Sequence, residues 1–496
     1  MAYTTNNKSS DNFNTALWTG DSTTPKTFVT GTFIPDLLWG KIRTKGYNHQ
    51  IFDTVRGPGN EKELRPSDKE EEGGGNAETY GYVSAFTSTG FTATRGTDGA
   101  GDDYWNESPD TYVSWSWAAG GSAPTQTYKV VVVSDSGNKY RFRNSTDTAT
   151  FGTSAVTLDL QEGGTYTFDV SDSTVNSHPF VLGTSSGVDG SYSTGVTYKL
   201  DGATKTYSQY TSGFSAATSR QLIITVGASA PTLYYNCSVH SGMGGQINTN
   251  STHGSSNFDG SVQSLVSANQ TAGFSIVKWT GTGSGEITVG HGLNDTPKFY
   301  FMKDLDTDGG GSGTDWFSYT KEIDGSVDYL FLNETDAKAD SSVSGSPNST
   351  TFPTISGTNG AVNYVAYCFA NKPGYCKIGT YVGNGNASGR FIYTGFKPKF
   401  VIFKQTSSTG NWAIMDSTRS NRNVGNHTLA TNLATAESGF GGGESVGGAS
   451  NKVDLVSNGI KIRENSAYNN SDGATYLYFA IGQTMVGSNN VPATAR

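Results

Sequence analysis

Asp110-Thr111-Tyr112-Val113-Ser114-Trp115-Ser116-Trp117-Ala118 sets Tyr112, Ser114 and Ser116 against Val113, Trp115 and Trp117. Alternation with a period of two belongs to a strand, here one with a strongly apolar face and a mixed one, and it predicts a half-buried β-strand. Comparable aromatic segments close two later stretches, Asn363-Tyr364-Val365-Ala366-Tyr367-Cys368-Phe369-Ala370 and Thr475-Tyr476-Leu477-Tyr478-Phe479-Ala480.

Working outward, each closing strand is preceded by the same order of segments. In the first copy these are Leu17-Trp18-Thr19-Gly20, Phe33-Ile34-Pro35-Asp36-Leu37-Leu38-Trp39-Gly40-Lys41 and Gln50-Ile51-Phe52-Asp53-Thr54-Val55-Arg56-Gly57. In the second they are Lys278-Trp279-Thr280-Gly281, Thr296-Pro297-Lys298-Phe299-Tyr300-Phe301-Met302-Lys303 and Asp315-Trp316-Phe317-Ser318. In the third they are Thr380-Tyr381-Val382-Gly383, Lys397-Pro398-Lys399-Phe400-Val401-Ile402-Phe403-Lys404 and Asn411-Trp412-Ala413-Ile414-Met415-Asp416. An opening strand, a Pro-led apolar strand ending in Lys, a Trp or Phe strand, a polar loop and a closing aromatic strand therefore recur three times. Many short strands per copy predict antiparallel β-sandwiches of jelly-roll or Greek-key type. Trp279, Trp316 and Trp412 read as core, with sugar stacking as the other reading. The charged run Glu61–Gly75 reads as a solvated loop.

Composition agrees with an all-β, multidomain chain. The 496 residues include 64 Gly, 12% aromatic and only 16% charged residues, which favours short strands and turns over helices. The abundant aromatics argue against disorder of the whole chain. A formal net charge of −9 argues against sequence-independent nucleic-acid binding, which needs clustered cations. Neither a secretory signal nor an apolar run long enough for a membrane span is visible, so a soluble protein without membrane insertion is expected. Cys237, Cys368 and Cys376 are too few for a disulfide framework, and Cys368 and Cys376 are expected as buried free thiols.

Between the first two copies the pattern changes. The expected division is 1–120, a first sandwich; 126–249, an inserted domain; 250–374, a linker and second sandwich; and 375–496, a third. The insert carries strand-like runs such as Tyr128–Val133 and Ser219–Val226 and ends in Tyr234-Tyr235-Asn236-Cys237-Ser238-Val239-His240-Ser241-Gly242-Met243-Gly244-Gly245. Together with His178, this turn supplies two imidazoles, a thiolate and a thioether, the ligand set of a blue-copper site. His178, Cys237, His240 and Met243 are thus the candidate ligands of a copper ion, with zinc as the lesser alternative. His291 reads as a turn residue, and His49, His253 and His427 have no Cys or His within metal spacing. No nucleophile elbow, zinc-protease motif or phosphate loop is found, so no catalytic residues are assigned and an enzyme is not expected.

Two resemblances add to this reading. Residues 258–283, continuing to Val289-Gly290-His291-Gly292-Leu293, resemble an uncharacterised domain common in structural proteins of marine tailed bacteriophages, and the Phe-x-Pro-Asp-Leu-x-Trp-x-Lys and Phe-Asp-x-x-Arg-Gly elements of the first copy resemble it as well. In the third copy Ser417-Thr418-Arg419 replaces the Arg-Gly turn. Over residues 126–249 the strand order resembles the cupredoxin fold. The first resemblance implies a virion protein, assembled in the host cytoplasm, that acts by binding as a tail fibre or spike for host attachment or as a capsid decoration. Its expected partners are other virion proteins, a host surface glycan or protein, and further copies in a homo-oligomer, a trimer being favoured. A copper-binding electron carrier and a glycan-binding protein are the alternatives.

Overall fold

The computed structural model describes residues 6, 8–97, 104–306, 315–354, 359–425, 427–437 and 452–484. The chain is a multidomain all-β protein built of several, largely antiparallel sheets with no closed barrel. Among the described residues its α-helices, Ala77–Tyr80 and Tyr207–Gly213, are short.

Each repeat builds one main sheet with the same strand order. In the first, Phe13–Thr19 pairs with Thr111–Trp117, which pairs with Leu37–Ile42, which pairs with Gln50–Asp53. Phe274–Thr280, Asn363–Ala370, Pro297–Asp304 and Phe317–Thr320 follow that order in the second. Cys376–Val382, Thr475–Thr484, Phe396–Gln405 and Trp412–Asp416 follow it in the third. Even a bulge recurs, between Pro297 and Phe299 and between Pro398 and Phe400. The registers fix residue equivalences: Trp39, Phe301 and Ile402 lie opposite Trp115, Tyr367 and Phe479.

The closing strand of the first repeat is buried on both faces, not one: Ser114 and Ser116 are as inaccessible as Trp115. The cause is a second layer on each side. Trp115, Tyr367, Phe479 and their neighbours Trp39, Phe301 and Ile402 enter one core shared by all three repeats. The alternate residues, such as Leu38, Tyr300 and Val401, pack under a small outer sheet belonging to each repeat alone. These outer sheets are Lys26–Val29 with Gly90–Thr94 and Tyr82–Thr87; Ile287–Gly290 with Thr351–Thr354; and Phe391–Tyr393 with Gly459–Ile462 and Val453–Val456. Each repeat is therefore a sandwich whose main sheet also faces the other two main sheets.

Hydrogen bonds close the three into a ring. Leu64, Leu330 and Leu429 pair with Ile51, Ser318 and Ile414, which makes the next residues, Arg65, Phe331 and Ala430, equivalent. Trp316 Nε1 donates to the Arg65 carbonyl at 2.9 Å, and Trp412 Nε1 to the Phe331 carbonyl at 2.8 Å. Between third and first the link is the Glu437 N–H, which donates to the Arg43 carbonyl at 2.9 Å. Second repeat thus grips first, third grips second and first faces third.

The same ring carries a matched set of substitutions. Tyr367 donates to the buried Asp53 carboxylate at 2.7 Å beside Arg56, and Trp115 Nε1 donates to Asp416 at 3.1 Å beside Arg419. In the second repeat Thr320 and Ile323 occupy the positions of the acid and the arginine, and in the third Phe479 occupies that of Tyr367 and Trp115. Where the ion pair is missing, the facing ring carries no donor.

Several expectations change accordingly. The run Glu61–Gly75 is not a solvated loop: Glu63 and Arg65 are buried, and Glu72 pairs with Arg56. Trp279, Trp316 and Trp412 are buried core residues, unable to stack on a sugar. Cys237, Cys368 and Cys376 are free and buried.

The insert is a separate two-sheet sandwich around its own core. One sheet orders Leu158–Gln161, Gln246–Asn250, Leu233–Cys237 and Phe180–Gly183; the other runs from Ala203–Lys205 through Val196–Leu200, Arg220–Thr225, Thr165–Asp169 and Thr125–Ser134 to Asn138–Phe142. Its core extends past residue 249 to take in Phe258. The Asp36 carboxylate ties down both connections, accepting the Ala119 N–H at 2.7 Å and meeting His253 Nδ1 at 2.6 Å.

Candidate metal centre

His178 reaches the top of the insert through a short, pinned approach. Asp172 caps the turn Ser173–Val175 by accepting the Thr174 N–H, and the His178 N–H donates to the Val175 carbonyl at 2.8 Å. Buried Arg220 donates to the carbonyls of Val170, Ser171 and Asp172 and to the Asn176 side chain, so the whole approach is held from one point. Pro179 then starts the strand Phe180–Gly183, in which Phe180 lies opposite Cys237. The Ser238 N–H bonds the Pro179 carbonyl at 3.0 Å, so the chain ends bearing His178 and Cys237 sit side by side.

Beyond Cys237 the backbone turns sharply. Gly242 takes a positive φ of 74°, which favours glycine. At Gly244 a Cβ would stand 1.6 Å from the Tyr235 carbonyl oxygen, so no side chain fits. The turn brings His240 back over Cys237 and returns the chain as the strand Gln246–Asn250 beside Leu233–Cys237.

The result is a compact triad. His178 Nδ1 and His240 Nδ1 lie 3.1 Å apart, and Cys237 Sγ lies 3.9 Å from the first and 3.6 Å from the second. An ion about 2.0–2.1 Å from each nitrogen and about 2.3 Å from sulfur would set these edges at roughly 3.4–3.8 Å, from trigonal or tetrahedral geometry. The N–N edge of 3.1 Å is shorter than this and one N–S edge of 3.9 Å slightly longer, so the donor set suits copper or zinc once the two imidazoles spread by a few tenths of an ångström. His178 and Cys237 are buried and His240 is exposed, so the triad opens to solvent on one side. Met243 is buried in the same core, and its carbonyl accepts the Tyr140 N–H at 2.9 Å.

His178 Nε2 lies 3.3 Å from the Asn138 amide Nδ2; metal binding through Nδ1 would leave the imidazole proton on Nε2, and a half-turn of the Asn138 amide would then present its oxygen to accept it. Burial, then the neighbouring His240, hold His178 below the ordinary imidazole range, leaving a lone pair available at neutral pH. Tyr140 donates to the His178 carbonyl at 2.8 Å, and burial, then the Cys237 thiol, push the Tyr140 phenol well above its usual range. Asn138, Tyr140 and Arg220 were not singled out from sequence. Only the alternation Lys139-Tyr140-Arg141-Phe142, which turns Tyr140 and Phe142 inward, hints at one of them.

The other histidines stand apart from the triad. His291 is buried, accepts the Leu293 N–H at Nδ1 and donates from Nε2 to the Asn348 carbonyl. His49 accepts from Trp39, and His253 pairs with Asp36. A second ligand-like group, Asp324, Asp328 and Asp340, already surrounds the Lys338 ammonium, which serves as its cation. Away from the triad, a cleft of about 700 Å³ between insert and second repeat is walled by polar side chains including Gln126, Asn257 and Gln270.

Fold and site together define an all-β protein of three fused repeats carrying an inserted sandwich in which His178, Cys237 and His240 come together. The chain belongs to the family described as a domain of unknown function, DUF7483, which matches residues 8–232 and 248–484. His178 lies within the matched residues, whereas Cys237, His240 and Met243 lie between the two matched stretches. No curated protein and no solved structure matches the chain.

Proposed function

We propose that the chain is a structural component of a tailed-bacteriophage particle that acts by binding, as a tail fibre or spike or as a capsid decoration, with its insert clipped by a copper ion. The observation that carries this reading is the shared core: three repeats pack about one common buried cluster, an arrangement suited to presenting fixed surfaces to other particle proteins and to a host glycan or protein. Rigid presentation lets several weak contacts act together.

Within the insert His178 and His240 bind through Nδ1 and Cys237 through its thiolate, while Asn138 orients the His178 ring. When bound, the ion cross-links a strand end to the Ser238–Gly245 turn and stabilises the loaded state by mass action. Peptide mass spectrometry of purified particles tests the reading. The chain is expected at a fixed copy number after high-salt washing; its recovery only in the soluble lysate overturns the proposal.

The two imidazoles and thiolate also favour a second reading, an electron carrier. That reading requires a reversible copper couple in the loaded protein, and voltammetry without a reversible wave excludes it.

A further inference from the structure

The outer sheets of the three repeats have equivalent edge strands: Lys26–Val29, Ile287–Gly290 and Phe391–Tyr393. Registers align Phe28, Val289 and Ile392, all buried, each paired inward with its own sheet. The Ile462 N–H bonds the Arg390 carbonyl and the Thr394 N–H bonds the Asn458 carbonyl, so residues 390, 392 and 394 face the sheet and Phe391 and Tyr393 turn their backbone groups outward.

In the second repeat that outward edge is already filled. The Ser261 N–H donates to the Thr288 carbonyl at 2.9 Å, the Thr288 N–H donates to Ser261 Oγ, and Val262 bridges Val289 in parallel. Gly260 permits the approach, since a Cβ there would stand 2.3 Å from the Thr288 oxygen. This segment leads from the insert into the second repeat, and among the described residues no such segment pairs with the outer edge of the third.

In the third repeat no described residue bonds the backbone N–H or C=O of Phe391 or Tyr393. Phe391 and Tyr393 are 48% and 56% exposed, and Val382, whose carbonyl accepts from Arg390, is 47% exposed. An open edge bearing large apolar side chains, without proline, is a template for another strand.

We propose that Phe391–Tyr393 is a self-pairing edge through which two copies of this chain associate. Antiparallel pairing centred on Ile392 is self-complementary. Phe391 of each copy meets Tyr393 of the other in a doubly hydrogen-bonded pair, the rings lie cross-strand on one face, and Arg390 faces Thr394, so that no like charges oppose. The first repeat's bare edge, with Thr27 and Val29 outward, lacks the aromatic pair.

Sedimentation velocity over a wide concentration range, on the full chain, tests this. The wild type is expected to move from the mass of one chain toward that of two. Tyr393→Pro removes an outward N–H without touching the ladder to Gly459–Ile462, and Phe391→Lys places a charge on the edge. Each should weaken association about tenfold or more, the equivalent of one or two hydrogen bonds, with the thermal unfolding profile unchanged. A wild type that stays monomeric throughout overturns the proposal, and so do folded variants that dimerise as the wild type does. Should both variants unfold, hydrogen exchange on the wild type decides: protection of the Phe391 and Tyr393 amides that rises with concentration supports the edge, and its absence overturns it.

Discussion

Asp53, Arg56 and Tyr367 can be exchanged for the residues that the chain itself uses at its apolar junction, Thr, Ile and Phe. Arg56 and Asp53 are completely buried, and Tyr367 bonds the same carboxylate from the second repeat. Removing one partner of a buried ion pair leaves an uncompensated charge and costs about 3–5 kcal/mol. Asp53→Thr and Arg56→Ile should each fall in that range, softened in the first case because Glu72 still contacts Arg56 at 2.9 Å. Tyr367→Phe removes one bond to a charged acceptor, worth about 1.5–3 kcal/mol. Together the three replacements remove the Asp53 and Arg56 charges and the donor at once, Glu72 keeps its ion pair with Lys62 at 3.0 Å, and replacing a buried pair by apolar groups of similar volume is often neutral. The triple variant should therefore lie within about 1.5 kcal/mol of the wild type, far from the sum of its parts. Urea unfolding followed by tryptophan fluorescence, on the wild type, each single variant and the triple, measures this. A triple variant as unstable as the singles summed would refute the equivalence of the three junctions.

Other outcomes follow from the same structure. Burial lowers the Lys404 ammonium to about 8, so the unfolded chain binds more protons between that pH and about 10.4, and stability should rise with pH through the window. Lys404→Met should flatten the rise by up to about 3 kcal/mol in unfolding measured from pH 7 to 10, and an unchanged slope counts against the burial argument. Burial raises Glu63 to about 7, so its protonated form is favoured in the folded state and stability is lost as pH climbs from about 4.3 through 7; Glu63→Gln should reduce that loss, as read by thermal unfolding at pH 5 and pH 8. Gly244→Ala must push the turn away from the Tyr235 carbonyl. Copper titration should then show binding weakened about tenfold or more, with the insert still folded, and undiminished binding would mean the turn can relax freely.

Much of this fold was legible because strands buried on both faces read as near-continuous apolar runs, as in Phe299–Met302 and Phe400–Phe403. The three repeats were visible for the same reason, and the His178, Cys237 and His240 grouping because ligand side chains are scarce here. What stayed hidden was mutual arrangement. The mixed face of Tyr112, Ser114 and Ser116 suggested solvent, yet serines fit beneath an outer sheet as small residues. The run Glu61–Gly75 looked solvated because its partners, Arg56 and Trp316, come from the preceding strand and from another repeat. Lys41, Lys303 and Lys404 end apolar strands, and nothing in the sequence signals that each is buried and donates to backbone carbonyls. Such contacts leave no periodicity in the chain.

The most direct test of the account is the metal content of the insert turn. Purified chain incubated with copper(II) and then freed of excess ion should retain one copper per chain. A visible thiolate-to-copper band should accompany it and vanish in Cys237→Ser, and a loaded chain should resist unfolding better than the stripped one. No retained copper, or copper retained equally by Cys237→Ser, would contradict the site built by His178, Cys237 and His240.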